Sequence, residues 1–313
     1  MRSLSYLLLD VFSSAPFGGN QLAVFLDAQG LADAEMQAIA REMNLSECTF
    51  VMPPTDSFAH HRVRIFTPRV ELPLAGHPTV GTAFALAHAG IIPPTLTTVQ
   101  LQLGVGTLPV DIERVGGNVS FVWMHQPAPR FQLWAGDSDG LMREMGLTPD
   151  DLDPALPLEV GSAGVPYLIV PLRDLDALGR ARSSMGLMRY APGIDPHGVY
   201  LLTLDTPEAP AGLRRPTMRG RMFAPGIGIM EDPATGGISG ALGVYVMRHT
   251  RDASGGSESF VLHQGVEMGR PSQIDIAITR EMGEVKDVRI GGHAVVMGRG
   301  ELWLPDAAAE AGA

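Results

Sequence analysis

Two segments of the chain are apolar over a length that suits a helix, and each follows a turn that contains proline. The first is 72–90, where only Thr82 and His88 interrupt the apolar residues after Val80. The second is a glycine-rich apolar segment that reaches about Met247. A helix without a polar face has to be buried on every side. The pattern therefore predicts two helices, each at the centre of a core.

Short apolar or alternating segments surround these two helices and are typical of strands. Strands are predicted at Tyr6–Phe12, Gln21–Leu26, Thr49–Met52, Arg62–Phe66, Thr98–Leu103, Leu108–Ile112, Val119–Met124, Tyr167–Pro171, Gly198–Thr203, Phe260–Gln264, Gln273–Thr279, Val285–Gly291 and Glu301–Leu304. An amphipathic helix is predicted at Asp33–Met43, where apolar residues recur at helical spacing, and another helix at Asp174–Arg182. The chain is therefore predicted to be mainly strand.

The two halves of the sequence resemble each other. Arg64-Ile-Phe-Thr-Pro68 matches Arg221-Met-Phe-Ala-Pro225, and in each half a second proline precedes the apolar segment. This match aligns His77-Pro78 with Asp232-Pro233. Self-similarity over so long a period indicates a duplicated domain rather than a solenoid, although turns rich in proline and glycine can also match by chance.

Duplication predicts an α+β protein with two pseudo-symmetric domains, at 1–116 and 117–313. Each domain is expected to be a β-barrel-like sheet wrapped round its central helix, because this arrangement buries an apolar helix on every side. The strand at 301–304 either stays with its own half or crosses back to the first. Both helix N-termini can then face one cleft between the domains, a location that ligand sites favour.

Three polar residues stand where such a cleft is predicted: Glu47, His77 and Asp232. Each has an ordinary alternative, since Asp before Pro is a common N-cap and a lone Glu in a turn is usually solvated. Together they can support proton transfer, in which one group takes a proton and another returns or steers it. Cys48 is interpreted as a small buried apolar residue rather than a nucleophile.

Composition narrows the possible partners and cofactors. The chain has 313 residues and a net charge of −11, and this negative charge disfavours nucleic acid and anionic membranes as partners. The single cysteine rules out an intrachain disulfide and suits a reducing cytosol. No run approaches the roughly 18 apolar residues of a membrane span, so a soluble cytoplasmic protein is predicted. The nine histidines lack metal-ligand spacing, and no nucleotide-binding or nucleophile-elbow motif is present. Neither a metal nor a cofactor is therefore expected.

Several longer motifs resemble those of the phenazine-biosynthesis isomerases, the PhzF-like family. They are Phe17-Gly-Gly-Asn20-Gln21-Leu-Ala-Val24, Asn44-Leu-Ser-Glu47, Arg64-Ile-Phe-Thr-Pro68, Glu71-Leu-Pro-Leu-Ala-Gly-His-Pro78, Glu231-Asp-Pro-Ala-Thr-Gly236 and Gln264-Gly…Met268-Gly-Arg-Pro-Ser272. The resemblance covers nearly the whole chain. It implies the fold of diaminopimelate epimerase, with two similar domains and the site between them.

The resemblance also implies roles for individual residues. Glu47 would be the acid/base, assisted by His77 and Asp232. The substrate-binding residues would be Ser46, Gly76, Gly236 and Gly237, with the helix N-termini holding a carboxylate. The family commonly has serine after Ala-Thr-Gly, where this chain has Gly237, so a hydroxyl donor is missing from the predicted pocket.

The implied activity is a cofactor-independent isomerase that moves a proton on a small carboxylate, similar to trans-2,3-dihydro-3-hydroxyanthranilate isomerase. A homodimer is the family expectation. Two alternatives stay open on the sequence. One is a non-catalytic protein that binds a small anion in the same cleft, and the other is a different isomerase or lyase of the same fold.

Overall fold

Strands dominate the described chain, as the sequence pattern predicts. The computed structural model describes residues 2–190, 198–204, 217–250 and 256–305. The strands are β1 Arg2–Val11, β2 Asn20–Phe25, β3 Glu47–Met52, β4 His61–Phe66, β5 Glu71–Leu72, β6 Thr98–Leu103, β7 Gly106–Val115, β8 Asn118–His125, β9 Arg130–Leu133, β10 Glu159–Ser162, β11 Pro166–Pro171, β12 Val199–Thr203, β13 Thr217–Ala224, β14 Ile229–Asp232, β15 Glu258–Gln264, β16 Ser272–Glu281, β17 Glu284–Gly292 and β18 Ala294–Leu304. The helices are α1 Asp33–Met43, α2 Gly76–His88, α3 Ser138–Glu144, α4 Leu175–Arg180 and α5 Gly236–Thr250, with 3₁₀ turns at Pro149–Asp151, Met185–Arg189 and Pro225–Ile227.

Helices α2 and α5 are the two central helices that the apolar pattern predicts. Residues 76–87 of α2 and 236–247 of α5 are all buried. The polar interruption in α2 is satisfied internally, because the Thr82 hydroxyl donates to the Pro78 carbonyl at 2.6 Å. Strands β1, β2, β7 and β8 pack against α2, while β10, β16 and β17 pack against α5. The predicted α+β architecture, with strands wrapped round two buried helices, is confirmed.

The strands of both halves are hydrogen-bonded into one continuous sheet. Strand β8 pairs antiparallel with β7 on one side and with β17 on the other. Strand β18 pairs antiparallel with β1 from Arg2↔Leu304 to Val11↔Ala294, so the last described strand lies beside the first. The division of the chain after residue 116 stays a prediction, since β8 belongs by pairing to both halves.

The position of Asp232 relative to its helix differs from the sequence alignment. His77 is the second residue of α2, whereas Asp232 ends β14 and precedes the first residue of α5, Gly236, by four residues. The two side chains therefore do not occupy equivalent positions, and Asp232 is not the residue directly before the helix. The intervening Pro-Ala-Thr segment extends the turn, which is why matching the prolines misaligned the helix starts.

Helix α1 lies at its predicted residues, and it packs with Met36, Ile39 and Ala40 buried. A separate apolar cluster lies under α3 and α4, where Leu141 and Leu178 are fully buried. Across the described residues, none of the helices has the length and apolar character needed to span a membrane.

Candidate active site

The first residues of the two central helices touch each other. A Cβ atom at Gly76 would lie 2.4 Å from the Cα atom of Gly236, and one at Gly236 would lie 2.9 Å from the Cα atom of Gly76. Real Cβ contacts are essentially never this short, so only glycine allows the two helices to approach this closely. The contact brings two sets of N-terminal amides, which have no intrahelical acceptors, and two positive dipole ends to one place.

Two parallel strands position two further side chains beside the start of α2. Asn20 and Glu47 are the first residues of β2 and β3, which pair in parallel with Leu22 opposite Glu47. Both side chains therefore lie near the same end of the sheet, beside the start of α2. Asn44 ends α1 in the left-handed conformation (φ 50°) and turns the chain into β3.

Glu47 and His77 face each other without a hydrogen bond. Glu47 Oε2 lies 3.4 Å from His77 Nε2, and the exposed fractions of the two side chains are 9% and 3%. Neither atom has a hydrogen-bond partner among the described residues. Buried polar atoms are nearly always paired, because leaving one unpaired costs about 1–3 kcal/mol. Both residues line the cavity described below, so these two atoms are available to a molecule bound there.

Asp232 is, by contrast, surrounded by donors. Its Oδ1 accepts from Asn20 Nδ2 at 2.8 Å and from the Ser46 hydroxyl at 3.3 Å, and its Oδ2 accepts from the Thr235 hydroxyl at 2.6 Å. Asn20 Nδ2 also lies 3.1 Å from His77 Nδ1. Asn20 therefore links Asp232, at the end of β14 before α5, to His77 in the first turn of α2.

Burial shifts the pKa values of all three predicted catalytic residues. The pKa of Glu47 is raised well above its ordinary value by burial and then by the charge of Asp232. Burial lowers the pKa of His77 to about 3, although a backbone hydrogen bond with Gln21 opposes this shift. Burial raises the pKa of Asp232 to about 6, opposed by its hydrogen bonds to Thr235, Asn20 and Ser46. These shifts favour the protonated form of Glu47 and the neutral form of His77, whereas Asp232, with a pKa of about 6, is mostly ionised at neutral pH.

These groups line a cavity between the two halves. The polar lining residues are Glu47, His77, Asp232, Tyr167 and Thr235, the glycines are Gly76, Gly236 and Gly237, and the remaining wall is Leu72, Leu74, Ala75, Val165, Met222, Ile227 and Ile229. None of the described lining residues is Lys or Arg. An anion here would be held by backbone amides and helix dipoles rather than by a cationic side chain.

Two glutamine side chains brace the start of α5. Gln264 Nε2 donates to the Asp232 carbonyl at 2.7 Å and its Oε1 accepts from the Thr235 amide at 3.0 Å. Gln126 Nε2 donates to the Gly236 carbonyl at 3.0 Å and its Oε1 accepts from the Gly240 amide at 3.1 Å. These are the carbonyl and amide that pair in a regular first turn, so the Gln126 amide is bonded to both ends of that turn.

The structure gathers most of the residues predicted from the sequence. Glu47, His77, Asp232 and the three predicted glycines line one cavity. Ser46 is not among the lining residues and instead donates to Asp232. Cys48 is fully buried, and burial raises the pKa of its thiol to about 12, which suits the apolar role.

Four polar residues around the site were not singled out by sequence reasoning: Asn20, Gln126, Tyr167 and Gln264. Asn20 and Gln264 stand within the quoted motifs, so the motifs carried a signal for them. Gln126 follows β8 and Tyr167 lies in an apolar strand, and no local pattern marks either one. Within the described residues, no group of His, Cys, Asp and Glu side chains is arranged to hold a metal ion. A reaction without metal or cofactor stays a prediction.

The fold belongs to a class that includes racemases and epimerases. The structure matches that of a hydroxyproline epimerase from Agrobacterium vitis with a TM-score of 0.65, covering 96% of this chain and 91% of that one. At 15% identity the likeness concerns the fold alone. It agrees with the epimerase-like architecture that the sequence resemblance implies.

The family is more specific than the fold. The family model for PhzC-PhzF, the phenazine biosynthesis-like proteins, matches residues 9–300, and the chain belongs to this family. It is 36% identical to a trans-2,3-dihydro-3-hydroxyanthranilate isomerase from Pseudomonas fluorescens, over 96% of this chain and 99% of that protein. A PhzF-family structure from Bacillus anthracis matches with a TM-score of 0.87 at 30% identity, covering 97% of this chain and 100% of that one. With curated relatives named isomerases, the chain is an isomerase of this family.

Proposed function

We propose that this isomerase moves a proton between two carbon atoms of a small carboxylate without a cofactor, with Glu47 carrying the proton. The observation that supports this most directly is the buried Glu47–His77 couple, which lines the cavity and whose Glu47 Oε2 and His77 Nε2 atoms have no hydrogen-bond partner among the described residues. The closely related proteins named trans-2,3-dihydro-3-hydroxyanthranilate isomerase suggest a carboxylate of that kind as the first substrate to test.

The substrate carboxylate would bind at the N-termini of α2 and α5. These termini meet at Gly76 and Gly236 and present amides and positive dipole ends to an anion. With no Lys or Arg among the described lining residues, these amides are the main attraction for negative charge. The rest of the molecule would lie against the apolar wall.

Proton transfer would begin from the acid form of Glu47, which its raised pKa favours. Protonated Glu47 gives its proton to one carbon as a new C–H bond forms. The resulting Glu47 carboxylate takes a proton from another carbon of the same molecule, which restores the starting acid. Because burial and Asp232 raise the pKa of Glu47, its carboxylate is a stronger base than an exposed one. His77 and Asp232 would orient the substrate and Glu47.

The proposal is tested by incubating the protein with trans-2,3-dihydro-3-hydroxyanthranilate in D₂O and following the carbon-bound protons by NMR. Conversion to an isomer that carries deuterium on carbon is expected. Binding without exchange would instead support a non-catalytic anion-binding protein. A product of another structure would point to a different isomerase or lyase.

A further inference from the structure

Tyr167 brings a hydroxyl group into the cavity opposite the start of α5. It lies on β11, opposite Gly161 of β10, and lines the same cavity as Glu47 and Asp232. Its residue exposure is 7%. Burial raises the pKa of the phenol, and the charges of Asp232 and Glu47 raise it further. The hydroxyl therefore stays protonated at neutral pH and is a hydrogen-bond donor.

The space in front of this hydroxyl is open because residue 237 is glycine. Apart from its chain neighbours and the backbone of its own helix, one described heavy atom lies within 4 Å of the position that a Cβ atom of Gly237 would take, the Tyr167 hydroxyl oxygen at 3.9 Å. The neighbouring Gly76 and Gly236 differ, since their absent Cβ atoms would collide with backbone. Gly237 is thus not required by close packing, and it leaves room between the α5 terminus and the phenol.

We infer that Tyr167 is a substrate-binding residue whose hydroxyl donates a hydrogen bond to the bound carboxylate, across the space left by Gly237. The inference rests on the proposed function, because it takes a small carboxylate at the helix termini as the ligand. A hydrogen-bond donor at this position would help the site to bind a carboxylate beside the negative charge of Asp232. The amides of α2 and α5 bind the anion in the presence of ionised Asp232, and none of the described lining residues is a cationic side chain. A neutral donor adds attraction for the carboxylate and keeps the cavity uncharged on that side.

The test measures binding of anthranilate by isothermal titration calorimetry. Tyr167→Phe keeps the ring and removes only the hydroxyl. A hydrogen bond to a charged group contributes enough that its loss weakens binding about 10–100-fold. Tyr245→Phe is the matched control, because Tyr245 is also buried but its hydroxyl donates to the Pro157 carbonyl at 2.6 Å outside the cavity. The control is expected to bind anthranilate like the unchanged protein.

A second variant tests the location of the hydrogen bond. Gly237→Ser places a hydroxyl in the open space, because its Cβ atom meets the phenol oxygen only at ordinary contact distance. Combined with Tyr167→Phe, it is expected to recover at least about fivefold of the lost affinity, since a hydroxyl donor returns to the same region. A purely structural role of Tyr167 does not predict this recovery.

The outcomes separate the inference from the proposed function. Anthranilate binding by Tyr167→Phe within about threefold of the unchanged protein would overturn the inference and leave the carboxylate site standing. A double variant that recovers no affinity would also count against it. If the unchanged protein does not bind anthranilate at all, the carboxylate site itself is wrong, and the inference falls with it.

Discussion

The starts of helices α2 and α5 meet in one site but differ in how fully their polar groups are hydrogen-bonded. Beside α2, Glu47 Oε2 and His77 Nε2 are buried without partners among the described residues. Before α5, Asp232 accepts three side-chain hydrogen bonds, and Gln264 ties the same turn to β15.

This difference suggests that the two helix starts have different roles in the proposed reaction. Unpaired polar groups are costly to bury, and the proposed function places the ligand and the moving proton on the α2 side, where Glu47 and His77 line the cavity. The saturated α5 side holds its carboxylate in one orientation. The charge of Asp232 adds to the larger effect of burial in raising the pKa of Glu47.

The comparison is tested most strongly by Glu47→Gln, which keeps the size of the side chain and removes the titrating group. Loss of a general acid/base lowers turnover by about 10²–10⁴-fold. The matched control is Glu159→Gln, because Glu159 is also a buried glutamate, at 3% exposure, and does not line the cavity. Isomer formation by both variants is followed by NMR. Turnover by Glu47→Gln within tenfold of the unchanged protein would rule out Glu47 as the proton carrier.

The contact between the helix starts is tested by a pair of glycine substitutions. Gly76→Ala places a Cβ atom 2.4 Å from the Gly236 backbone, and overpacking of this kind costs about 1–3 kcal/mol of unfolding free energy. Outside its own helix and chain neighbours, the Cβ atom of Gly237→Ala meets only the Tyr167 hydroxyl among the described residues, at 3.9 Å, so a change of at most about 0.5 kcal/mol is expected. Urea unfolding of both variants measures the difference. Equal stability of the two would contradict the close contact.

The raised carboxyl pKa values predict a smaller effect on the pH dependence of stability. A carboxyl group with a raised pKa in the folded protein binds its proton more tightly there than in the unfolded chain. Its contribution to stability is therefore complete below its unfolded pKa and is lost as pH rises through the folded value. Glu47 and Asp232 both act in this direction, and Asp232 does so between its ordinary 3.8 and about 6.

Glu47→Gln removes the loss of stability at high pH that is due to Glu47, and leaves the one that is due to Asp232. The variant is expected to match the unchanged protein near pH 4 and to exceed its unfolding free energy at pH 8 by about 1–2 kcal/mol, as relief of a strained active-site group commonly does. Urea unfolding at pH 4, 6 and 8 measures the gap. A gap that is absent or reversed at pH 8 would show that Glu47 is not held protonated by its surroundings.

Much of the fold could be predicted from the sequence because it depends on local patterns. The all-apolar segments required burial on every side, and the spacing of apolar residues placed α1 at Asp33–Met43. The motifs around Glu47, His77 and Asp232 indicated the family. They also contain most of the predicted site residues that line the cavity of the structure. The alignment of His77 with Asp232 was wrong, because the turn before α5 is longer than a match between prolines can reveal.

What the sequence by itself determined is the set of elements and the chemical groups available to the site. Apolar periodicity and turn residues act over a few positions, so they can be recognised along the chain. Only the tertiary structure decided which groups are paired and which are not. Asn20 and Ser46 reach Asp232 across 212 and 186 residues, and Gly76 meets Gly236. Burial then set the pKa values of Glu47 and His77, since desolvation depends on every element that packs around a group and not on its neighbours in sequence.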